Sequence, residues 1–172
     1  NINCTVPLMW LVGLIFKFAL VNQGYPIKKL CIPPESRCIL PVISTDVPYP
    51  GYVANLTSRI FSVGFSSWLD NLVVVDSEVD ILDTGDVFEE MMVRTHPLRD
   101  IHVSPRITPL SAIAYFATEE EKKRAYGCNL TLDCTTPPHW KEEDRPQRVD
   151  FENSYSKELQ NWVLDNWKDL GF

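Results

Sequence analysis

The spacing of the cysteines is the sequence feature that most constrains the fold. Four of the five cysteines form neighbouring pairs, Cys31 with Cys38 and Cys128 with Cys134, and Cys4 is left over. Neither pair has the CxxC spacing of a zinc knuckle or a thioredoxin-like redox site. The spacing therefore predicts two short disulfide loops, which form in an oxidising compartment. The alternative is a set of reduced, buried thiols in an intracellular protein.

Three glycosylation acceptor triplets favour the same compartment. They begin at Asn3, Asn55 and Asn129, and none has proline at its middle position. Asn129 lies inside the second predicted disulfide loop, where an exposed turn would leave room for a glycan. The sequence therefore predicts a secreted glycoprotein, or one of the lumen of the secretory pathway.

An apolar run at the amino terminus covers residues 6–21 and is interrupted by Lys17. It is short for a bilayer span and has the length of the hydrophobic region of a signal peptide. We interpret residues 1–24 as a signal-like or anchor segment and residues 25–172 as a single α+β domain. One alternative is a membrane anchor packed on partner subunits, with membrane contact through residues 6–21; another is a buried helix or strand.

Hydrophobic periodicity predicts a sheet in the first two thirds of the chain. The proline-rich segment 25–52 excludes a long helix and permits at most an edge strand at residues 38–43. Alternating apolar side chains predict a strand at residues 59–65. They also predict a strand at residues 72–82, paired in a hairpin with residues 87–94.

Helix signals dominate the last third. Thr118 and Glu121 form a capping box, which predicts a short helix from about residue 119 to residue 126. An amphipathic pattern predicts a carboxyl-terminal helix over residues 154–170. Residues 101–103 are expected to pair briefly in the sheet, and residues 110–117 form a strand or the start of a helix. The predicted fold is α+β, with an antiparallel sheet of about four to six strands covered by the carboxyl-terminal helix.

Charge and the absence of nucleotide-binding motifs limit the partners. The chain has 16 Lys and Arg against 23 Asp and Glu, a net charge of −7, which repels nucleic acid. No P-loop or dinucleotide fingerprint occurs, so no cofactor is predicted. By elimination the sequence favours a non-catalytic binding role toward a protein partner or a small apolar ligand. The alternative is an accessory subunit of a membrane complex.

One short string has the pattern of a catalytic motif. Residues 81–85 read Ile-Leu-Asp-Thr-Gly, which resembles the active-site loop of aspartic proteases, where two aspartates share a proton. The resemblance implies a hydrolase that uses Asp83. It covers only five residues, Asp86 stands where that family has a small residue, and the sequence has no second copy of the motif. A hairpin turn accounts for the same residues.

Alternating acidic residues follow the apolar part of the second predicted strand. Asp76, Glu78 and Asp80 would share one strand face and could hold a cation there. The pattern departs from a calcium loop at Ile81, where glycine is required. A solvated acidic strand face is the simpler interpretation.

Overall fold

The structure is a computed structural model of the 172-residue chain. It describes residues 2–36, 39–62, 69–105, 118–123, 127–145 and 151–171. The chain divides into two compact units, Asn1–His139 and Trp140–Phe172. In the described parts of these units, the first holds the sheet, and the second holds two short helices and a 3-10 turn.

Helices and strands alternate along the first unit. Its helices are α1 (Ile2–Val21), α2 (Tyr52–Ser62), α3 (Thr84–Arg94) and α4 (Glu119–Lys123), with a 3-10 turn at Pro34–Ser36. Its strands are β1 (Ile27–Cys31), β2 (Val42–Thr45), β3 (Asn71–Asp76), β4 (Ile101–Pro105) and β5 (Cys128–Cys134). The second unit contains a 3-10 turn (Glu142–Asp144), α5 (Phe151–Ser154) and α6 (Lys157–Asp165).

The five strands form one mixed sheet in the order β1-β2-β3-β5-β4. The three central strands are parallel, whereas β1 and β4 pair antiparallel at the two edges. The predicted α+β class and the number of strands are confirmed, but the prediction of a purely antiparallel sheet is wrong. Residues 72–75 are apolar and fully buried on both faces. Such a continuous apolar run is typical of a central parallel strand.

Each face of the sheet has its own hydrophobic core. On one face, α1 and α2 pack against Ile43, Leu72 and Val74. On the other face, Val42, Val73 and Val75 pack against Val79, Ile81 and Val87. The parallel strands are therefore buried on both faces of the sheet. This packing holds the ends of the strands in place.

Helix α1 belongs to the folded unit. Met9, Val12, Phe16 and Leu20 recur every three or four residues, so they share one side of the helix, and all four are buried in the first core. This burial corrects the interpretation of the apolar run as a signal-peptide region. Within the described ranges, no helix is both long enough and apolar enough to cross a bilayer. The predicted membrane contact through residues 6–21 is not supported.

The predicted hairpin is a strand followed by a helix. β3 ends at Asp76, and α3 occupies the predicted return strand. The Asp83 side chain caps α3, because its Oδ1 accepts a hydrogen bond from the amide of Gly85 at 2.8 Å. The string that resembles a protease loop is thus the amino terminus of a helix. Glu78 and Asp80, which continue the alternating acidic pattern after Asp76, lie in the turns before this helix.

Helix α2 contains residues 59–62, the described part of the strand predicted at residues 59–65. Val53, Leu56 and Ile60 are buried at helical spacing against the sheet. The strand prediction was wrong because its window opened at Arg59, near the end of the helix. Residues 63–68 lie outside the described residues.

Several local predictions are confirmed. β4 contains residues 101–103. The prediction of at most one edge strand in residues 25–52 is wrong, because β1 and β2 both lie there and β2 is an inner strand of the sheet. The capping box is present: the Glu121 amide donates to Thr118 Oγ1 at 3.2 Å, and the Thr118 amide donates to Glu121 Oε2 at 2.7 Å. Helix α6 lies within the predicted range 154–170 but is shorter. Residues 110–117 lie outside the described residues.

Candidate functional site

The carboxyl ends of the parallel strands bring acidic side chains to one edge of the sheet. Asp46 follows β2, Asp76 ends β3 and Asp133 lies near the end of β5. Because β4 runs antiparallel to β5, Asp100, which precedes it, lies at the same edge. In open α/β sheets, ligands bind in the crevice outside these strand ends. We name these four aspartates, together with the residues that form hydrogen bonds or ion pairs with their side chains, the carboxyl edge.

Arg94, the last residue of α3, connects three polar groups at the carboxyl edge. Its Nε lies 2.6 Å from Glu90 Oε2, and its Nη1 lies 3.2 Å from Asp76 Oδ2. Nη1 also donates to Thr136 Oγ1 at 2.6 Å. The hydroxyl and the amide of Thr136 donate to Asp76 Oδ2 at 2.7 and 2.9 Å. The guanidinium therefore ties α3 to β3 and to the segment that follows β5.

Two carboxyl groups at the carboxyl edge have a raised pKa. Burial raises the pKa of Asp76, although hydrogen bonds from Thr136 and the charge of Arg94 oppose the shift. Burial also raises the pKa of Asp133, against hydrogen bonds from the amide and hydroxyl of Thr135. A carboxyl group whose pKa is raised toward neutrality can hold and exchange a proton. These two groups are the candidates for proton transfer at this edge.

The pKa of Asp100 is lowered, in contrast to those of Asp76 and Asp133. Burial raises its pKa, but the hydrogen bonds from Arg99 and from the His96 amide outweigh it, so the pKa of Asp100 lies below its ordinary value. Arg99 forms a two-pronged contact, with Nε 2.6 Å from Asp100 Oδ1 and Nη2 2.7 Å from Oδ2. The Asp133 amide donates to the Asp100 carbonyl at 2.8 Å. Asp100 thus fixes the turn before β4 against β5.

The predicted metal and catalytic residues do not come together. Asp76 pairs with Arg94, whereas Asp80 lies 3.2 Å from Lys29 Nζ on β1. The predicted common strand face does not form, because β3 ends at Asp76 and the next residues form turns. Among the residues that the structure describes, no three His, Cys, Asp or Glu side chains are arranged to hold a metal ion. Asp83 caps α3.

The predicted disulfide loops are wrong. Cys128 and Cys134 are the first and last residues of β5. At roughly 3.3 Å per residue their Cα atoms are about 20 Å apart, whereas a disulfide requires less than ~7 Å. Cys31, Cys128 and Cys134 are free thiols. Cys38 lies outside the described residues.

The acceptor asparagines do not support a glycoprotein. Asn129 is 6% exposed within β5, which leaves no room for a glycan in the folded chain. Asn55 lies on the exposed side of α2, where its Oδ1 accepts a hydrogen bond from the Tyr25 hydroxyl at 2.6 Å. The side chain of Asn3 lies outside the described part of the chain. The exposed turn expected around Asn129 is a strand inside the sheet.

Three residues of the carboxyl edge were not predicted from the sequence: Arg94, Thr136 and Asp133. Asp76 directly follows the apolar run at residues 72–75, and that run carries the signal that could have located the site. Once it is recognised as a buried parallel strand, polar residues at its carboxyl end are expected near a ligand crevice.

Residues 8–134 match the family model of the 3-octaprenyl-4-hydroxybenzoate carboxy-lyase C-terminal domain, UbiD_C. The chain belongs to this family. The match takes in all five strands and the carboxyl edge as far as Cys134. Membership in a carboxy-lyase family overturns the prediction of a secreted, non-catalytic binding protein. It also overturns the alternatives of a membrane-complex subunit and an aspartic-protease-like hydrolase.

This chain resembles one part of several longer enzymes. It is 24% identical over 159 residues to a pyrrole-2-carboxylic acid decarboxylase of Pseudomonas aeruginosa, covering 88% of this chain and 32% of the relative. The open form of Sedimentibacter hydroxybenzoicus vanillic acid decarboxylase superposes with a TM-score of 0.60 and 21% identity over 89% of this chain and 31% of that one. The UbiD-class enzyme HmfF of Pelotomaculum thermopropionicum, in complex with FMN, superposes with a TM-score of 0.61 and 21% identity over 83% of this chain and 31% of that one. The chain therefore spans about a third of the length of these relatives.

Proposed function

We propose that this chain is the carboxyl-terminal domain of a decarboxylase that removes CO2 from an aromatic or heteroaromatic carboxylic acid. The family match over residues 8–134 carries the proposal. Two relatives are named for pyrrole-2-carboxylic acid and vanillic acid, which supports the substrate class. In such a reaction the ring carbon loses its carboxyl group as CO2 and takes up a proton.

The carboxyl edge and the strand and helix beside it do not fit the phosphate of a flavin such as the FMN in the HmfF structure. Proteins bind phosphate with basic side chains or with helix amino termini. Here Lys28, Lys29 and Arg94 each pair with a carboxylate. α3 carries Asp83 and Asp86 at its amino terminus, which disfavours an anion there. We infer that a flavin would be bound by the part of the enzyme that corresponds to the rest of the relatives' length.

Within the domain, we assign the carboxyl edge as the surface that faces the substrate. Its position at the ends of parallel strands supports this assignment. The raised pKa of Asp76 and of Asp133 supports it as well, because perturbed carboxyl groups concentrate at functional sites.

Decarboxylation by the natural full-length protein that carries this chain tests the proposal. The flavin-loaded protein is incubated with pyrrole-2-carboxylate, with vanillate and with an aliphatic acid as control, and CO2 and the ring product are measured. In deuterium oxide the product should carry deuterium at the carbon that lost its carboxyl group. Turnover of an aromatic acid alone supports the proposal, and no CO2 from either aromatic acid refutes it.

The Asp133→Asn variant of the same protein tests the assignment of the carboxyl edge. We expect it to lose at least about tenfold in kcat and to change the pH dependence of kcat. Asp80→Asn, an exposed change outside this edge, is the matched control. If Asp133→Asn keeps the pH profile and the kcat of the parent, the edge assignment fails while the decarboxylase proposal stands.

A further inference from the structure

A histidine lies beside the two aspartates where β4 and β5 pair at the carboxyl edge. The Asp133 amide donates to the Asp100 carbonyl at 2.8 Å. This bond continues the antiparallel register in which His102 is the partner of Thr131. Side chains two residues apart on a strand share a face of the sheet, and so do direct partners on neighbouring strands. His102, Thr131 and Asp133 therefore share one face, with Asp100 opposite Asp133.

Helix α2 covers this face next to the histidine and the aspartate. Thr131 is fully buried, and the Thr57 hydroxyl of α2 donates to its Oγ1 at 3.2 Å. His102 and Asp133 are half-buried beside this contact. Charges interact more strongly at such a site than in bulk water, and both side chains still have access to solvent.

The two oxygens of the Asp133 carboxyl group have different surroundings. The amide and the hydroxyl of Thr135 both donate to Oδ1, at 3.0 and 2.6 Å. Within the part of the chain that the structure describes, no hydrogen bond ends on Oδ2. Thr135 thus holds the carboxyl group in place and leaves Oδ2 able to exchange a proton.

The charges around Asp133 favour its protonated form, and His102 is the cation that acts against them. Burial raises the pKa of Asp133 most, the charge of Asp100 raises it further, and the charge of His102 lowers it. Arg99 and His96 act on Asp100 and lower its pKa. Neighbouring carboxyl groups whose pKa values are moved apart in this way are typical of an acid and its fixed counter-charge.

We propose that His102 is a positioning residue that relays protons between solvent and Oδ2 of Asp133. Histidine is the side chain that gains and loses a proton near neutral pH. Diagonal partners on antiparallel strands lie about 7–8 Å apart, which ring side chains can span. Transfer between them then runs directly or through one water.

The relay rests on the proposed decarboxylation and supplies its proton. When CO2 leaves, the electron pair of the broken carbon–carbon bond stays on the ring carbon, which takes the proton of Asp133. The imidazolium of His102 gives its proton to Oδ2 of the resulting carboxylate. The neutral imidazole is then protonated by the solvent, so each CO2 released consumes one solvent proton.

Carbon-13 NMR of the Asp133 carboxyl group in the 172-residue chain tests the charge contact without any activity. His102→Gln removes the cation, so the pKa of Asp133 should rise above that of the parent. His102→Lys keeps a positive charge and should hold the pKa of Asp133 below that of the glutamine variant. His139→Gln, an exposed histidine change outside the carboxyl edge, is the matched control and should leave it unchanged.

Decarboxylation by the flavin-loaded natural full-length protein tests the relay. His102→Gln should lower kcat by at least about tenfold with little change in KM, because it slows a proton transfer and leaves substrate binding intact. Its kcat should rise with the concentration of phosphate buffer, which replaces the lost proton donor, whereas that of the parent should not. His102→Lys should stay as slow as the glutamine variant, because lysine releases its proton only near pH 10.

Three outcomes overturn the proposal: the pKa of Asp133 is the same in His102→Gln and in the parent, His102→Gln keeps the kcat of the parent, or His102→Lys restores it. Circular dichroism checks the fold of each variant, and His102→Asn replaces a glutamine variant that does not fold. A loss of activity confined to the His102 variants leaves the decarboxylase proposal intact. A parent that releases no CO2 refutes the decarboxylase proposal, and the relay with it, whatever the NMR shows.

Discussion

Removal of Arg94 is the most direct test of the carboxyl edge. The substitution Arg94→Met keeps the stem of the side chain and deletes the guanidinium. Glu90 and Asp76 then lose the counter-charge at 2.6 and 3.2 Å, and their side chains are only 10% and 13% exposed. Breaking a buried pair by removing one partner costs about 3–5 kcal/mol, because a charge is left buried. We expect the free energy of unfolding at neutral pH to fall by that amount.

The pH dependence of the Arg94→Met effect has a definite sign. The pKa of Asp76 is already raised in the folded chain by burial, and loss of Arg94 raises it further. A carboxyl group with a raised folded pKa binds more protons in the folded state, so stability falls as the pH rises through that pKa. The cost of the substitution is therefore largest at neutral pH and shrinks as the solution is acidified toward about pH 4, the ordinary pKa of aspartate.

Urea unfolding followed by circular dichroism at neutral and acidic pH measures this effect. Lys29→Met is the matched control, because its pair with Asp80 is half exposed and should contribute little. The reasoning is refuted if Arg94→Met is as stable as the parent at neutral pH. It is also refuted if the cost of the substitution grows on acidification.

Three further predictions concern single side chains. Burial raises the pKa of the Cys134 thiol to about 11, so an aromatic disulfide reagent at mildly alkaline pH should label exposed Cys128 and leave Cys134 unmodified until the chain unfolds, as peptide mass mapping will report. Asp83→Ala removes the cap of α3 and should cost about 1 kcal/mol in urea unfolding, whereas Asp83→Ser should retain most of the stability; equal losses would contradict the capping role. Phe16→Ala should cost about 3–5 kcal/mol because Phe16 is buried, whereas Phe18→Ala, measured in the same way, should cost far less, and similar costs would show that α1 does not pack on the sheet.

Local sequence patterns predicted the elements whose structure depends on a few neighbouring residues. The capping box at Thr118 and the helix within residues 154–170 needed only hydrogen bonds and periodicity inside one segment. The apolar run at residues 72–75 was recognised as a strand. The prediction that this strand continues to residue 82 is wrong, because acidic residues in successive turns mimic the alternation of a strand. The Asp-Thr-Gly string was interpreted as a turn, and its ability to cap a helix was overlooked.

The cysteine pattern failed because sequence spacing does not determine spatial distance. Five residues between Cys128 and Cys134 permit a tight loop, but they also permit an extended strand. Leu130 and Leu132 alternate with polar residues, which is the signature of a strand. That signature outweighs the spacing of the two thiols, and the secretory interpretation depended on the opposite choice.

The contacts of the candidate site could not be predicted from sequence because they depend on the order of the strands. Arg94 and Thr136 are far apart in the chain, and they meet only because β5 lies between β3 and β4. No local pattern specifies that order. The acidic strand ends are visible in the sequence, whereas the partners that determine their protonation are brought together by the topology.

The position of β5 also has a consequence for the growing chain. β3 and β4 are synthesised first, and the strand that separates them arrives last, as residues 128–134. Until then the fully buried run at residues 72–75 has an unpaired backbone along one side, and such open margins recruit other chains. Nascent or prematurely terminated chains that lack β5 should therefore aggregate or depend on chaperones during synthesis.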